Sequence, residues 1–327
     1  EFKPHRDLYD WFLYQVVNLK QIRPKQREFA RLNLSHTITS KRKLLFLVQN
    51  NIVSGWDDPR MPTISGLKRR GYTPESLKKF VVTAGVARRE NVIEMSLLEF
   101  CIREDLNKKC NRLMVVQDPI KISITNYPDD KSEELPIVNN PENPASITRN
   151  VLFEKTLYSG HSHSLEAPPK KYFRLSPGNE VRLKGAYIIK AEEVIKNPKG
   201  EISEIICTYD PNSKSGSGSV ESQRKVKGTL HWVSFSSNTP VEIREYDRLF
   251  EHPSPGEFST DQIQKAINKD SINIFHGFGE KELGNSSVGE SFQFQRKGYY
   301  IKDKDSTESR HVFNKTVSLR DNWKKRN

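Results

Sequence analysis

The chain of 327 residues carries 53 Lys+Arg against 41 Asp+Glu, a net charge of +12, and is 35% hydrophobic and 9% aromatic. That length allows two or three domains, each with its own core. No apolar run reaches the roughly 20 residues of a membrane span, Glu1-Phe2-Lys3-Pro4 has no signal-peptide layout, and three cysteines without a Cys-x-x-Cys pair argue against a zinc site or a disulfide framework.

A reducing, cytoplasmic setting without membrane contact is therefore the expectation. The chain begins at Glu1 and not at a methionine, so it is expected to be a piece of something longer. The positive charge favours a polyanionic partner, and its distribution is uneven. Residues 1 to 112 carry 22 Lys+Arg against 12 Asp+Glu, a net +10, while the remainder is nearly balanced at +2. A nucleic acid would be steered by the field of the first third and recognised by individually placed residues in the rest.

The first third reads as helical. Leu8, Trp11, Phe12, Gln15 and Val16 fall at helical spacing within residues 7 to 19. In Ser40-Lys41-Arg42-Lys43-Leu44-Leu45, Ser40 can cap a helix that buries Leu44, Leu45, Leu47 and Val48. Thr63 and Gly71 bracket a third helix, whose last turn holds Lys68, Arg69 and Arg70, where the helix dipole favours cations. Thr73, Pro74 and Gly85 bracket a fourth, and Ser96 with Glu99 has capping-box spacing for a fifth.

Near Arg112 the pattern changes. Residues 112 to 128 alternate in the β manner, and turn chemistry recurs at 140 to 144, 176 to 178 and 197 to 200. The segments around Asn197-Pro198-Lys199-Gly200 predict a long hairpin. Residues 213 to 222 read as a flexible loop, and one short helix is expected near Asp261. Otherwise the rest reads as all-β, with spacing suited to small barrels and no internal repeat.

The chemistry legible in composition alone is limited. Ser40-Lys41-Arg42 at a helix mouth suits an anion, because ammonium and free backbone N–H groups face the same way; a solvated helix cap is the commoner outcome of such spacing. Gly55-Trp56-Asp57-Asp58-Pro59-Arg60 predicts a turn locked by ion pairs with Trp56 as its apolar anchor, a hinge or platform without catalysis. His161-Ser162-His163 has no third ligand, so no metal site is expected. Aromatics interleaved with cations around 170 to 187 and 291 to 300 fit either base stacking or ordinary strand cores.

Several longer stretches go further: "RLNLSHTITSKRKL", "GWDDPRMPTISGLKRRGYT", "IEMSLLEFCIREDLN", "HWVS", "EIREYDRLF" and "VFNKTVSLRDNW". In this order they resemble glutaminyl-tRNA synthetase, along the whole chain but only over the C-terminal part of that enzyme. The family adenylates glutamine with ATP and transfers it to the terminal adenosine of its tRNA. The resemblance implies an α+β multidomain fold: the end of a Rossmann-type catalytic domain (1–45), a helical connector (46–111), a proximal anticodon-binding antiparallel β-barrel (112–167 and 251–327) and a distal one (168–250), like barrels of ribosomal proteins.

It also implies roles. Ile38 to Arg42 falls where the class I signature loop contacts ATP, which with Mg2+ is the expected co-substrate. Lys41 matches the loop's second lysine, with Ser40 and Thr39 beside it, and Arg31 and Leu32 match nucleotide-holding positions. Phe2 and Gln26 match the glutamine side. Arg112 and Gln293 match the pair on the central anticodon uridine, Arg174 a reader of the third base and Arg182 a reader of the first; Lys171, Lys184 and Arg296 complete the expected anticodon set. Arginine suits such work because its planar fork bonds bases or phosphates in fixed geometry.

This sequence departs from the family at Ile38, Thr39, Pro4, Lys171, Phe173 and Lys184. The nucleotide-binding first half of the catalytic domain is not among these residues, so the piece by itself is expected to be inactive. Two other readings stand beside this one. A glutamyl-tRNA synthetase of archaeal and eukaryotic type shares the Trp-Asp-Asp-Pro-Arg segment, but usually has a Trp-rich stretch where this chain has "IEMSLLEFCIREDLN". A non-catalytic RNA-binding module has no use for Ser40, Lys41 and Gln26.

Overall fold

The computed structural model describes residues 5–16, 24–160 and 175–321. Its first third contains helix α1 (Arg6–Val16), strand β1 (Leu32–Leu34), helices α2 (Lys41–Gln49), α3 (Ile64–Arg70) and α4 (Pro74–Ala84), strand β2 (Asn91–Ile93) and helix α5 (Met95–Lys109). β1 and β2 pair in parallel, Leu32 opposite Asn91. Among the described residues no helix is long and apolar enough to cross a membrane.

The caps of α3 and α4 are those the sequence predicts. Thr63 Oγ1 accepts from Gly66 N at 2.9 Å, and Thr73 Oγ1 accepts from Ser76 N at 3.2 Å. Gly71 ends α3 in the left-handed region at φ 100°, and a Cβ there would lie 2.3 Å from Thr316 Oγ1. Only glycine lets α3 turn so close to the β part.

Four local expectations are corrected. α5 is not opened by a Ser96–Glu99 box: Glu94 is its N-cap without a side-chain bond. The Met95 N–H goes instead to Ser35 Oγ at 2.9 Å, a cap borrowed from 60 residues away. α2 buries Leu44 and Leu47 while Leu45 stays exposed, because a nine-residue helix against one neighbour offers a narrow stripe. Leu8, Trp11, Phe12 and Val16 of α1 do share helical spacing, yet no residue of α1 is buried. Trp56 is 39% exposed and anchors nothing by its ring; Val53 and Met61 are the buried apolar residues of that turn.

The turn is indeed locked by ions. Arg60 Nε and Nη2 donate to Asp58 Oδ1 and Oδ2 at 2.9 and 2.7 Å, and Ser54 N donates to Asp58 Oδ2 at 2.8 Å. Burial alone would raise the Asp58 carboxyl, but these donors overcome it and hold it below the ordinary aspartate value.

The β part runs β3 (Asn111–Leu113), β4 (Val115–Gln117), β5 (Pro119–Ile124), β6 (Ser132–Val138), β7 (Thr148–Glu154), β8 (Thr156–Gly160), β9 (Glu180–Leu183), β10 (Ile188–Lys196), β11 (Ile202–Asp210), α6 (Val220–Gln223), β12 (Thr229–Leu230), β13 (Val233–Ser234), β14 (Asn238–Tyr246), α7 (Thr260–Lys265), β15 (Ile272–Glu280), β16 (Ser291–Phe294), β17 (Gly298–Lys302) and β18 (His311–Ser318). The predicted hairpin is β10–β11, turning at Asn197 to Gly200. β6 and β7 form a separate two-stranded hairpin.

The remaining strands form two seven-stranded sheets. Sheet I has the order β12-β9-β10-β11-β5-β8-β13, and sheet II the order β3-β16-β17-β18-β14-β15-β4. Ladder directions repeat. Reading across each sheet, the first and fourth ladders are parallel and the other four antiparallel. In each case both edge strands are consecutive pieces of one segment, 229–234 in sheet I and 111–117 in sheet II. One bent segment that pairs with both edges curls a sheet towards a barrel and removes its free edges.

Two expectations change here. The sheets are mixed and not antiparallel throughout. The expected division also cuts them wrongly: β5 and β8, within 112–167, pair with β9 to β13, while β14, within 168–250, pairs with β15 and β18. Turn signals locate strands but do not choose their partners.

The run Leu113-Met114-Val115-Val116 is buried on both faces. Leu113 and Val115 point into the core of sheet II with Phe292, Phe294 and Phe313. Met114 and Val116 belong to the core of sheet I with Phe153, Trp232 and Tyr187. The segment is a shared wall, so the two curled sheets abut along it.

Helices join sheet II through an apolar cluster, in which Phe80, Leu98, Ile102 and Leu106 pack with Tyr299 and Val317, and through charge. Arg69 of α3 donates from Nε and Nη2 to Asp303 at 2.9 and 3.0 Å and to Asp305 at 2.9 Å. Arg244 reaches Asp305 at 2.7 Å and Glu242 at 2.8 Å. Asp303 is buried, and these donors outweigh its desolvation and hold its carboxyl low.

Candidate functional site

Two places collect the residues singled out above. The first is the loop before α2. Ile38, one of the departures named above, is fully buried with Leu44, Leu47, Val53, Met61, Leu249 and Phe250. That position serves here as core. Thr39 is exposed, Ser40 is the N-cap of α2 at φ −72°, ψ 120° without a side-chain cap bond, and Lys41 is the exposed first residue of the helix. Lys43 Nζ donates to the Gly256 carbonyl.

Arg31, Thr39 and Ser40 line one cavity of about 230 Å³ together with Asn33, Asn91, Ser254 and Glu257. Arg31 Nε donates to Asn33 Oδ1 at 2.8 Å, which orients the guanidinium. Leu32 is not part of this cavity; it lines two others, beside Phe29 and beside Leu34. Gln26 is half-buried, its Nε2 donating to Glu28 Oε1 at 3.2 Å. Phe2 lies outside the described residues.

The loop is held by the β part. His36, at φ 58° and buried, donates its backbone N–H to the Pro253 carbonyl at 2.9 Å, and its Nδ1 lies 3.0 Å from the Glu251 carbonyl oxygen. Burial first and Arg248 second push the imidazole below its ordinary value.

The second place is the junction of the two sheets. β3 and β16 pair in parallel with Gln293 opposite Arg112. Arg112 Nη2 donates to Asn107 Oδ1 at 3.0 Å, the Tyr299 hydroxyl donates to the same oxygen at 3.1 Å, and Gln293 Nε2 donates to the Tyr299 hydroxyl at 2.9 Å. Gln293 is 8% exposed. This chain of bonds fixes both side chains from the end of α5. Arg296 stands exposed in the β16–β17 turn at φ 65°.

Lys184 comes to this junction from sheet I. Its ammonium is shifted below the ordinary lysine value by burial first, and then by Arg112, Arg296 and Arg149, with Glu280 opposing. Arg149 is itself paired with Glu280, so the net positive field at Lys184 comes from Arg112 and Arg296, and an anion or an electron-rich base edge would relieve it. Arg182 is not part of it. Its guanidinium donates to the carbonyls of Ser213, Ser222 and Arg224 at 2.8, 2.9 and 3.3 Å and to Ser215 Oγ at 3.3 Å, so it is committed to the 213–224 loop. Arg174 and Lys171, like Pro4, Phe173 and the His161–His163 pair, lie outside the described residues.

Sequence reasoning missed Asn107, Tyr299, Arg149 and Glu280. Asn107 carries no signal beyond preceding Arg112 by five residues, and Arg149 and Glu280 are 131 residues apart.

Three family models cover nearly the whole chain: the catalytic domain of class I tRNA synthetases (E and Q) over residues 1–108, and two anticodon-binding domains of the same class over 110–210 and 229–303. The chain belongs to the class I tRNA synthetases for glutamate and glutamine. Its relatives carry a narrower name. Glutamine–tRNA ligases from Bradyrhizobium diazoefficiens, Clostridium kluyveri and Proteus mirabilis are 46%, 45% and 47% identical to it over 99% of its length. The chain covers only 57%, 58% and 57% of those proteins, a little over half the length of each.

Proposed function

We propose that this chain is the tRNA-binding and signature-loop portion of a glutamine–tRNA ligase, acting with ATP, glutamine and glutamine tRNA. The names of the relatives support the substrate, and the register pairing of Arg112 with Gln293 carries the reading of the anticodon. Two side chains with fixed donors, braced through Asn107 and Tyr299, can discriminate a splayed-out base where a floppy pair cannot. Sheets I and II act as the distal and proximal anticodon-binding barrels, and Lys184 and Arg296 complete the cationic junction. Arg174 and Lys171 keep the roles the resemblance implies. Arg182 shapes the 213–224 loop and reads a first base only if that loop releases it.

The cavity beside Ser40 supports a place for the polyphosphate of ATP: Arg31, Thr39 and Ser40 line it, with Glu90 and Glu257 on its wall, and Lys41 stands exposed next to it at the N-terminus of a nine-residue helix. Arg31, Thr39, Ser40 and Lys41 would hold it there, and Lys41 would neutralise charge as pyrophosphate leaves. Bound ATP, with Mg2+, would supply the adenylyl group for glutamine, with pyrophosphate as the leaving group. Gln26 and Phe2 serve the glutamine side, and the piece alone forms no adenylate.

A binding titration tests the reading. Glutamine tRNA should bind more tightly than the same tRNA with its middle anticodon base changed. Equal affinity would remove the anticodon assignment.

A further inference from the structure

We infer that the buried pair Arg149–Glu280 is a positioning device for Arg112, and so a determinant of anticodon discrimination that never touches RNA. The inference rests on the anticodon reading above. Arg149 lies on β7, whose hairpin partner β6 packs Leu135 and Ile137 into the core of sheet I, and Glu280 ends β15 of sheet II. The side chains are 5% and 3% exposed. Arg149 Nε and Nη2 donate to the two Glu280 oxygens at 2.6 and 2.7 Å, the fork-to-fork geometry that fixes direction as well as distance.

Each partner then reaches the strand that bears Arg112. Glu280 Oε1 accepts from Met114 N at 2.6 Å, and Glu280 N donates to the Met114 carbonyl at 3.2 Å. Met114 is the single residue between β3 and β4, the corner at which the shared wall bends. Arg149 Nη1 donates to Asn139 Oδ1 at 3.0 Å, and the Asn139 carbonyl accepts from Arg112 N at 2.7 Å. One guanidinium thus holds both ends of the β3 backbone, through Asn139 on one side and Glu280 on the other.

The pair also ties the β6–β7 hairpin to sheet II beside the strand that bears Arg112. A structural clamp alone would have no reason to grip the segment on either side of Arg112. A buried ion pair is also weak evidence of stabilisation, since well-packed apolar residues often replace one without loss.

The test is a double-mutant cycle in the full chain. The readout is the ratio of dissociation constants for glutamine tRNA and its middle-base variant, followed beside the thermal midpoint. Replacing both charges, Arg149→Met with Glu280→Met, should lower the ratio about tenfold; the midpoint should fall as well, because Met114 N and Asn139 Oδ1 lose their partners. In an Arg112→Ala background the same replacement should lower it no further, because the effect passes through Arg112. An unchanged ratio, or an equal loss in both backgrounds, overturns the proposal.

If the double variant does not fold, Arg149→Lys takes its place. It keeps the charge but cannot span Glu280 and Asn139 together, and it should lower the ratio in the same direction and by the same rule. If Arg112→Ala itself leaves the ratio intact, the anticodon reading has failed, and the proposal with it. A loss with Arg112→Ala but none with the pair removes only the positioning role.

Discussion

Sheets I and II share a pattern of ladders strand for strand, yet different forces hold them. Sheet I closes over an aromatic interior: Phe153 meets Tyr127, Tyr187 and Trp232 at ring separations of 5.3, 5.1 and 5.4 Å. Sheet II has its own apolar core and adds a charge network of Arg69, Arg244 and Arg310 on Asp303, Asp305 and Glu242, in which Arg69 comes from α3 and the rest from the sheet and its β17–β18 connection. One topology can therefore be stabilised by shape or by charge, and position decides which. Sheet II lies between helices and sheet I and must grip both; sheet I contacts fewer neighbours and can rely on its interior.

The strongest way to break this contrast is to exchange the two kinds of damage. Trp232→Ala in sheet I should cost about 3–5 kcal/mol through the cavity it leaves. Asp303→Ala in sheet II should cost about as much, by leaving Arg69 without its bidentate acceptor. Denaturant unfolding checks both, and Asp303→Leu distinguishes charge from volume: if restoring volume rescues stability, sheet II is not held by charge.

Next in size are the readers. Arg112→Ala or Gln293→Ala should each weaken discrimination at the central anticodon base by about 1–3 kcal/mol, with less effect on affinity for tRNA in general. Equal losses for matched and altered anticodons, measured by titration, would make them backbone positioners.

Acid should separate the sheets more gently. Asp303 and Glu242 titrate below their ordinary values, against burial, because of Arg69, Arg310 and Arg244. A depressed carboxylate stabilises the fold above its unfolded-state pKa, and that contribution is lost as pH falls through the lower folded value. On the sheet I side the depressed carboxyls are Glu192 of β10, against Thr208 and Lys190, and Glu133 of the β6–β7 hairpin, against Lys214 and Tyr187, both more exposed than Asp303 and Glu242. Below pH about 4 amides of sheet II should therefore lose hydrogen-exchange protection before those of sheet I. The reverse order would refute the contrast.

Lys41→Ala should have the smallest effect on fold and RNA. Lys41 is exposed at the start of α2, so stability should change by less than about 0.5 kcal/mol and tRNA affinity hardly at all. In an enzyme with its complete catalytic domain, glutamine-dependent ATP–pyrophosphate exchange should fall. Loss of tRNA binding with exchange intact would reassign the loop.

Much of this was legible from neighbouring residues. Thr63 with Gly71, Thr73 with Pro74, and the Asn197 to Gly200 turn act over a few positions, so their chemistry is written where it operates. The Asp58–Arg60 lock is equally local, whereas the roles proposed for the signature loop and Arg112 come from resemblance and not from local chemistry. The opposite cases all involve distance. Ser35 caps a helix 60 residues on, Ile38 packs against Phe250, and Trp56 stays at the surface although its composition predicts an anchor.

What the order of amino acids determined by itself was where α3 and α4 begin and end and where β10 turns into β11, since caps and turns depend on backbone geometry within one or two turns. Which strand lies beside which was decided only by the tertiary structure. Alternating strands 112–128 offer the same hydrogen bonds to any partner, and it took both cores to bury Leu113 with Val115 on one side and Met114 with Val116 on the other. The same distant packing put Gln293 opposite Arg112 and brought Arg149 to Glu280. A residue's chemistry belongs to the sequence; its partner belongs to the fold.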